Sequence, residues 1–178
     1  MVRFAVCASM AAARLLELRY SRRNMRRSGA ATEGQWSRRT YPLIVALHTA
    51  VVLGTLLRGS RRPRLPWLAL LLAAQPVRAW ILLLLGSRWN TRGVVPDALE
   101  VETRGPYALI RHPNYVVVTV ELAALPLAFG LPKLAAAATL ANAALLIPRV
   151  RDEERALMAS PEYRAHFAGK RRFIPYLF

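Results

Sequence analysis

Two short stretches hold most of the residues able to do chemistry. The first runs Arg104-Gly105-Pro106-Tyr107-Ala108-Leu109-Ile110-Arg111-His112-Pro113-Asn114-Tyr115. Gly105-Pro106 makes a tight turn, because glycine permits unusual φ and proline fixes its own. Pro113 suits the first turn of the apolar helix that follows, where its missing N–H costs nothing. The free N–H groups and positive end of that helix attract an anionic group, and His112, Arg111 and Tyr107 add donors at the same place. The same residues serve equally well as interfacial anchors, with tyrosines as belt residues and arginines snorkelling; spacing alone leaves the two readings level. The second stretch is Arg149-Val150-Arg151-Asp152-Glu153-Glu154-Arg155-Ala156-Leu157. As a helix it places Arg149 and Glu153 on one face, and Arg151 and Arg155 on another. Surface pairing at that spacing contributes only about 0.2–0.5 kcal/mol, so its interest lies in sharing a membrane face with the first stretch.

Glu121 is a further candidate, about two turns into an otherwise uncharged segment. Ionisable residues within membrane helices are costly and face a cavity or a partner. Arg78 offers such a partner, which would make both residues structural. His48 reads as a neutral, hydrogen-bonded helix residue.

The elements that position these residues follow from where charge is missing. Tyr41–Leu57, Leu65–Leu85, Tyr115–Leu131 and Leu134–Pro148 carry few or no ionised side chains. A bilayer core takes about 20 apolar residues, with 17–25 the usual range. The last segment is short, and Lys133 and Arg149 extend it by snorkelling. Phe4–Leu18 is a weaker first span, interrupted by Arg14 and Glu17, which share a helix face at i,i+3. A cleaved secretory signal is the competing reading of residues 1–20, but four more apolar segments favour a retained helix. The expected fold is therefore all-α and polytopic: one membrane domain over 1–178, with three N-terminal spans in 1–85 and a catalytic half in 86–178. About five spans are expected, with a cytoplasmic C-terminal helix beside a cofactor pocket.

The chain has 178 residues, 54% of them hydrophobic, and a formal charge of +16. Its apolar content is too high for a disordered chain. With five spans, most of the arginine falls on the first loop, the third loop and the tail. The positive-inside rule then makes that side cytoplasmic and the amino terminus external, in the inner (plasma) membrane. The same bias accounts for the charge without nucleic acid as a partner, although Arg22–Arg27 suits anionic headgroups. The single cysteine, Cys7, excludes a disulfide framework and a CxxC zinc site, so no metal is expected. No GxGxxG, GxxxxGK[ST], HExxH or GxSxG occurs, which leaves a soluble Rossmann domain and a zinc hydrolase unsupported.

GPYALIRHPNY (Gly105–Tyr115), an apolar hairpin, RVRDEERAL (Arg149–Leu157) and EYRAHF (Glu162–Phe167) together resemble the isoprenylcysteine carboxyl methyltransferase family of integral-membrane enzymes. The order and spacing agree over roughly the C-terminal half. RLLELRYSRRN (Arg14–Asn24) and SRWNTRGVVP (Ser87–Pro96) look like a bacterial branch associated with methylating alkylpyrone-type polyketides. The resemblance implies S-adenosylmethionine as methyl donor. It places Gly105, Pro106, Tyr107, His112, Pro113, Tyr115, Glu153 and Glu154 around that cofactor, with Arg149 and Glu153 as catalytic candidates; Glu121 joins the catalytic candidates through its place in the span. It also implies a lipophilic small-molecule acceptor methylated on oxygen or a carboxyl group, with membrane lipids as surroundings. Relatives often carry glycine two residues after the motif tyrosine; here Tyr115 precedes Val116-Val117-Val118, which narrows the approach to the cofactor. The rival expectations are a phospholipid or amine N-methyltransferase, an NADPH-dependent membrane reductase of similar layout, and a non-catalytic scaffold for anionic lipid.

Overall fold

A computed structural model describes residues 1–27, 31–96 and 99–174. Among these, six α-helices follow in order: α1 (Val2–Arg27), α2 (Gln35–Arg58), α3 (Leu65–Leu85), α4 (Pro113–Ala128), α5 (Pro132–Leu157) and α6 (Pro161–Phe167). The all-α expectation holds, with one small addition. Strands β1 (Ala31–Glu33) and β2 (Val94–Pro96) pair antiparallel, Thr32 opposite Val95. They join the chain after α1 to the long segment after α3.

α2, α3 and α5 are each long and apolar enough to cross a bilayer. α3 has 21 residues, about 31 Å at 1.5 Å per residue, matching a hydrocarbon core of about 30 Å. Their outer faces carry exposed Leu43, Leu53, Leu70, Trp80, Leu83, Leu140 and Ile147, an apolar girdle that lipid can cover. α4 is apolar but spans only 16 residues. It starts at Pro113 as the sequence predicts and stops at Ala128, where Phe129 and Gly130 (φ +75) turn the chain back. α1 has 26 residues, with Arg14 and Glu17 in its middle. α5 runs on without a break past Pro148 to Leu157, so the RVRDEERAL stretch extends the preceding span, as expected.

Small residues let the helices approach closely: Ala124 and Ala128 of α4, and Ala135 and Ala138 of α5, are all buried. Cys7 and Met10 of α1 complete the same core with Val51, Leu71, Leu122, Leu125 and Phe129. The first helix is thus part of the bundle.

The connections divide between two ends. At one end, the Ser60 N–H donates to the Phe129 carbonyl at 2.8 Å and the Arg64 N–H to the Ala128 carbonyl at 2.7 Å; Arg3 lies beside Gly59 at this end. At the other end lie the ribbon and the described residues between α3 and α4 and after α5. The arginine-rich first and third loops and the tail therefore share one end.

Candidate active site

Three pieces of chain build the site at the arginine-rich end. The first is the turn around Gly105, where φ is +55 and a Cβ would lie 2.8 Å from Trp80 of α3. Only glycine fits both the left-handed backbone and that close approach. Just before it, Glu102 bonds Arg104 Nε at 2.8 Å and Arg88 Nη2 at 3.0 Å. The Arg104 guanidinium, aided by Arg88 against the opposing effect of burial, holds the Glu102 carboxyl down at about 2. The turn delivers Tyr107, whose hydroxyl is pushed well above its ordinary range by burial and by nearby Glu153.

The second piece is the tail, which straps over the motif. The Arg111 N–H donates to the Arg171 carbonyl at 2.9 Å, the His112 N–H to the Arg172 carbonyl at 3.0 Å, and Lys170 Nζ to the Tyr107 carbonyl at 3.0 Å. Glu154 anchors the strap from α5. Its carboxylate receives Arg172 Nη2 at 2.8 Å and Arg111 Nη1 at 3.2 Å, with His112 Nε2 also 3.2 Å away. The predicted cofactor residue Glu154 is therefore fully engaged in holding the loop to the tail.

The third piece is α5 itself. Arg149, 3% exposed, donates through Nη2 to the Thr91 carbonyl at 2.5 Å and through Nε to the Tyr115 hydroxyl at 3.2 Å. Its guanidinium lies 5.8 Å from the Tyr115 ring centroid. The Tyr115 hydroxyl in turn donates to Glu153. Arg149 and Glu153 thus share a face as their spacing predicts and meet through the tyrosine. Gly93, φ +65, brings backbone against them: a Cβ there would sit 3.1 Å from Glu153 Oε2 and 3.3 Å from Arg149 Nη2.

These side chains open onto a cavity of about 520 Å³ that runs into the bundle. Tyr107, His112, Tyr115, Arg149 and Glu153 all line it. Several of its polar atoms have no hydrogen-bond partner among the described residues: Trp89 Nε1, Arg111 Nε, Asn114 Oδ1 and the Tyr163 hydroxyl. Buried polar groups are normally satisfied, so a polar ligand is the natural complement.

Residues 67–159 match the Isoprenylcysteine carboxyl methyltransferase (ICMT) family, more than half of the chain. The chain belongs to the isoprenylcysteine carboxyl methyltransferase family. It is a multi-pass membrane protein of a methyltransferase family. It is also similar to the uncharacterized protein YpbQ of Bacillus subtilis (strain 168), at 33% identity over 152 residues, covering 82% of this chain and 89% of that protein.

Within this methyltransferase framework the predicted residues part company. Gly105, Pro106 and Pro113 shape the loop and helix start, and Glu154 ties the strap. Glu121 lies outside the cavity lining. Its Oε1 accepts from Gln75 at 3.0 Å, and its Oε2 from Arg14 at 2.8 Å and Arg78 at 3.3 Å. Arg14 and Arg78 also bond Glu17, at 2.8 and 2.5 Å. The Arg78 pairing weighed from the sequence is present and is widened into a network of two arginines and two glutamates. Sequence reasoning missed Tyr41, Thr91, Gly93, Asn142 and Tyr163 on the wall. Thr91 and Gly93 fall within the SRWNTRGVVP stretch and Tyr163 within EYRAHF, and Asn142 is a lone amide in an uncharged apolar span.

Proposed function

We propose that the protein transfers a methyl group from S-adenosylmethionine to an oxygen of a lipophilic, anionic small molecule at the cytoplasmic face of the membrane. The observation that carries this reading is the convergence of Tyr107, His112 and Tyr115 from one stretch with Arg149 and Glu153 from the other on a single cavity. The donor set fits the cofactor. Arg111 brings a cation for its carboxylate, and Glu153 an anion for its ammonium or ribose hydroxyls. Tyr107, Tyr163 and Phe167 bring rings for its adenine, and the orphaned Asn114 and Trp89 atoms offer one acceptor and one donor. When bound, the cofactor supplies an electrophilic methyl group.

Every other part falls to the chain. An enolate or carboxylate is already anionic near neutral pH, so no side chain has to remove a proton. Arg149, fixed by the Thr91 carbonyl and the Tyr115 hydroxyl, holds the acceptor oxyanion in line. Alignment of this kind lowers a barrier by about 7–11 kcal/mol in favourable cases. The strap anchored on Glu154 covers the site and excludes water. The acceptor's apolar part enters sideways from the bilayer, between helices, while the donor arrives from the cytosol. The amino terminus is then external and the tail cytoplasmic in the plasma membrane, with five spans. An alkylpyrone-type acceptor, or a carboxylate like that of a prenylated cysteine, meets these requirements.

Calorimetry of the purified protein with S-adenosylmethionine and with NADPH tests the reading. Binding of the first alone is expected; binding of NADPH alone points to a reductase, and binding of neither to a scaffold. Methyl incorporation into host-membrane lipids identifies the acceptor and separates oxygen from nitrogen methylation. Arg149→Ala and His112→Ala are expected to abolish transfer with the fold retained, and near-normal rates in both would sink the site.

A further inference from the structure

Two cavity-wall side chains deep in the bundle carry hydrogen-bonding atoms that no described residue satisfies. Asn142 of α5 is 1% exposed. Its amide N–H donates to Thr119 Oγ1 at 3.2 Å, while the Thr119 hydroxyl donates to the Tyr115 carbonyl at 2.9 Å. With its proton so engaged, Thr119 Oγ1 accepts, which turns the Asn142 nitrogen toward it and leaves Asn142 Oδ1 as a buried, unpaired acceptor. On α2, His48 Nε2 is likewise buried and unpaired. Both residues line the cavity.

Their depth follows from the helix register. Thr91 joins α2 to α5, meeting the Tyr41 hydroxyl at 3.2 Å through Oγ1 and Arg149 through its carbonyl. His48 is one heptad beyond Tyr41, and Asn142 one heptad before Arg149 on the antiparallel α5. Each lies about 10 Å further into the bundle at 1.5 Å per residue. At the far end, the approach of Leu134 to Gly54 keeps the same register. Val45, Val118 and Leu146 give the cavity wall an apolar part, and the mutually paired Arg14, Glu17 and Arg78 line it as well.

A plain hydrocarbon tail would pass this pair and leave both atoms unsatisfied. We infer that Asn142 and His48 form a subsite for a hydroxyl group carried on the acceptor's apolar chain, about 10 Å from the oxygen held at Arg149. The hydroxyl donates to Asn142 Oδ1 and accepts from His48 Nε2–H, so one group satisfies both. The acceptor class narrows to an amphiphile that is anionic at one end and hydroxylated partway along its chain. This inference rests on the proposed function for the role of the anionic end, and on the two unpaired atoms for the rest.

The test uses the purified full chain in detergent, with stearate and a mid-chain hydroxystearate as probes and native mass spectrometry as readout. The wild type is expected to retain the hydroxylated probe about tenfold more tightly, the net effect of its two buried hydrogen bonds. Asn142→Leu and His48→Phe are each expected to erase that preference while stearate binding persists, which also reports that the variants are folded. Equal retention of the two probes by the wild type overturns the subsite, as does a preference that survives both variants or failure of either probe to bind. Calorimetry with S-adenosylmethionine on the same preparation separates the two claims. Donor binding without a hydroxyl preference defeats the subsite alone, and a hydroxyl preference without donor binding supports the subsite and defeats the methyltransferase reading.

Discussion

Replacing Tyr115 by phenylalanine deletes one oxygen and leaves the ring in place. That oxygen is the link between Arg149 Nε, which donates to it at 3.2 Å, and Glu153, to which it donates. Hydrogen bonds to charged groups contribute about 1.5–3 kcal/mol each. The Arg149 bond sits at the long end of the usual range and counts at the lower figure. Both groups face the cavity, so water recovers part of what is lost. The net effect is about 2 kcal/mol, near a thirtyfold fall in kcat/KM. Arg149 keeps its 2.5 Å bond to the Thr91 carbonyl and its place over the ring, so the loss stays smaller than that of Arg149→Ala. The assay is transfer of labelled methyl from S-adenosylmethionine into a host-membrane lipid extract, with thermal unfolding in detergent alongside. A rate within twofold of wild type in a folded Tyr115→Phe protein refutes the tyrosine link. A collapse in melting temperature shows instead that the hydroxyl serves folding.

Four further outcomes follow from the same geometry. Arg149→Lys keeps the charge but loses the fork that reaches Thr91 and Tyr115 together, so kcat/KM falls about ten- to hundredfold, measured in the same transfer assay. Glu154→Gln loosens the strap, and tryptic cleavage after Lys170, Arg171 or Arg172 speeds up about tenfold if one charge-assisted bond is lost. Gly105→Ala forces a left-handed φ and a clash with Trp80, costing about 1–3 kcal/mol and lowering the melting temperature in detergent. Glu102 is held at about 2, below the ordinary carboxylate range, so its contribution is present above that range and lost as pH falls toward 2. Tryptophan fluorescence is expected to show a transition in that window which Glu102→Gln removes.

The sequence made the helices legible because hydropathy is an average over many residues. The Pro113 start of α4 and the run of α5 through Pro148 could be read for the same local reasons. The limits of α1 were harder to read. Arg14 and Glu17 break its apolar run, and they are tolerated because Arg78 and Glu121 lie opposite them, a pairing across helices that a linear pattern does not contain. The β1–β2 ribbon was missed because three-residue strands carry no periodicity. At the site, Tyr107, His112, Tyr115, Arg149 and Glu153 stood out through motif and spacing. Thr91 and Gly93 lie in the SRWNTRGVVP stretch but carried no site role there, since they contribute a carbonyl oxygen and a missing Cβ, and neither is a side-chain property. Glu154 lies in the expected neighbourhood, with Arg111, Arg172 and His112 against its oxygens.

The matched segment and the cavity do not have the same extent, and the difference bears on specificity. Residues 67–159 supply the end of the cavity that holds Tyr107, His112, Tyr115, Arg149 and Glu153. Arg14, Leu18, Tyr41, Val45 and His48, from α1 and α2, supply much of the rest and lie outside that match. A charge buried in a bundle persists only when it is paired, and the Arg14–Glu17–Arg78–Glu121 network does that pairing across α1, α3 and α4. The same network fixes how α1 closes the cavity. Under the proposed function, changes in α1 and α2 can therefore reshape the wall against the acceptor's chain without touching Arg149, Tyr115 or Glu153. Exchange of α1 and α2 with those of a relative is expected to change which lipid is methylated while leaving S-adenosylmethionine affinity within about threefold, or less than 1 kcal/mol. A chimera that loses donor binding instead would show that the two ends of the cavity are one coupled unit.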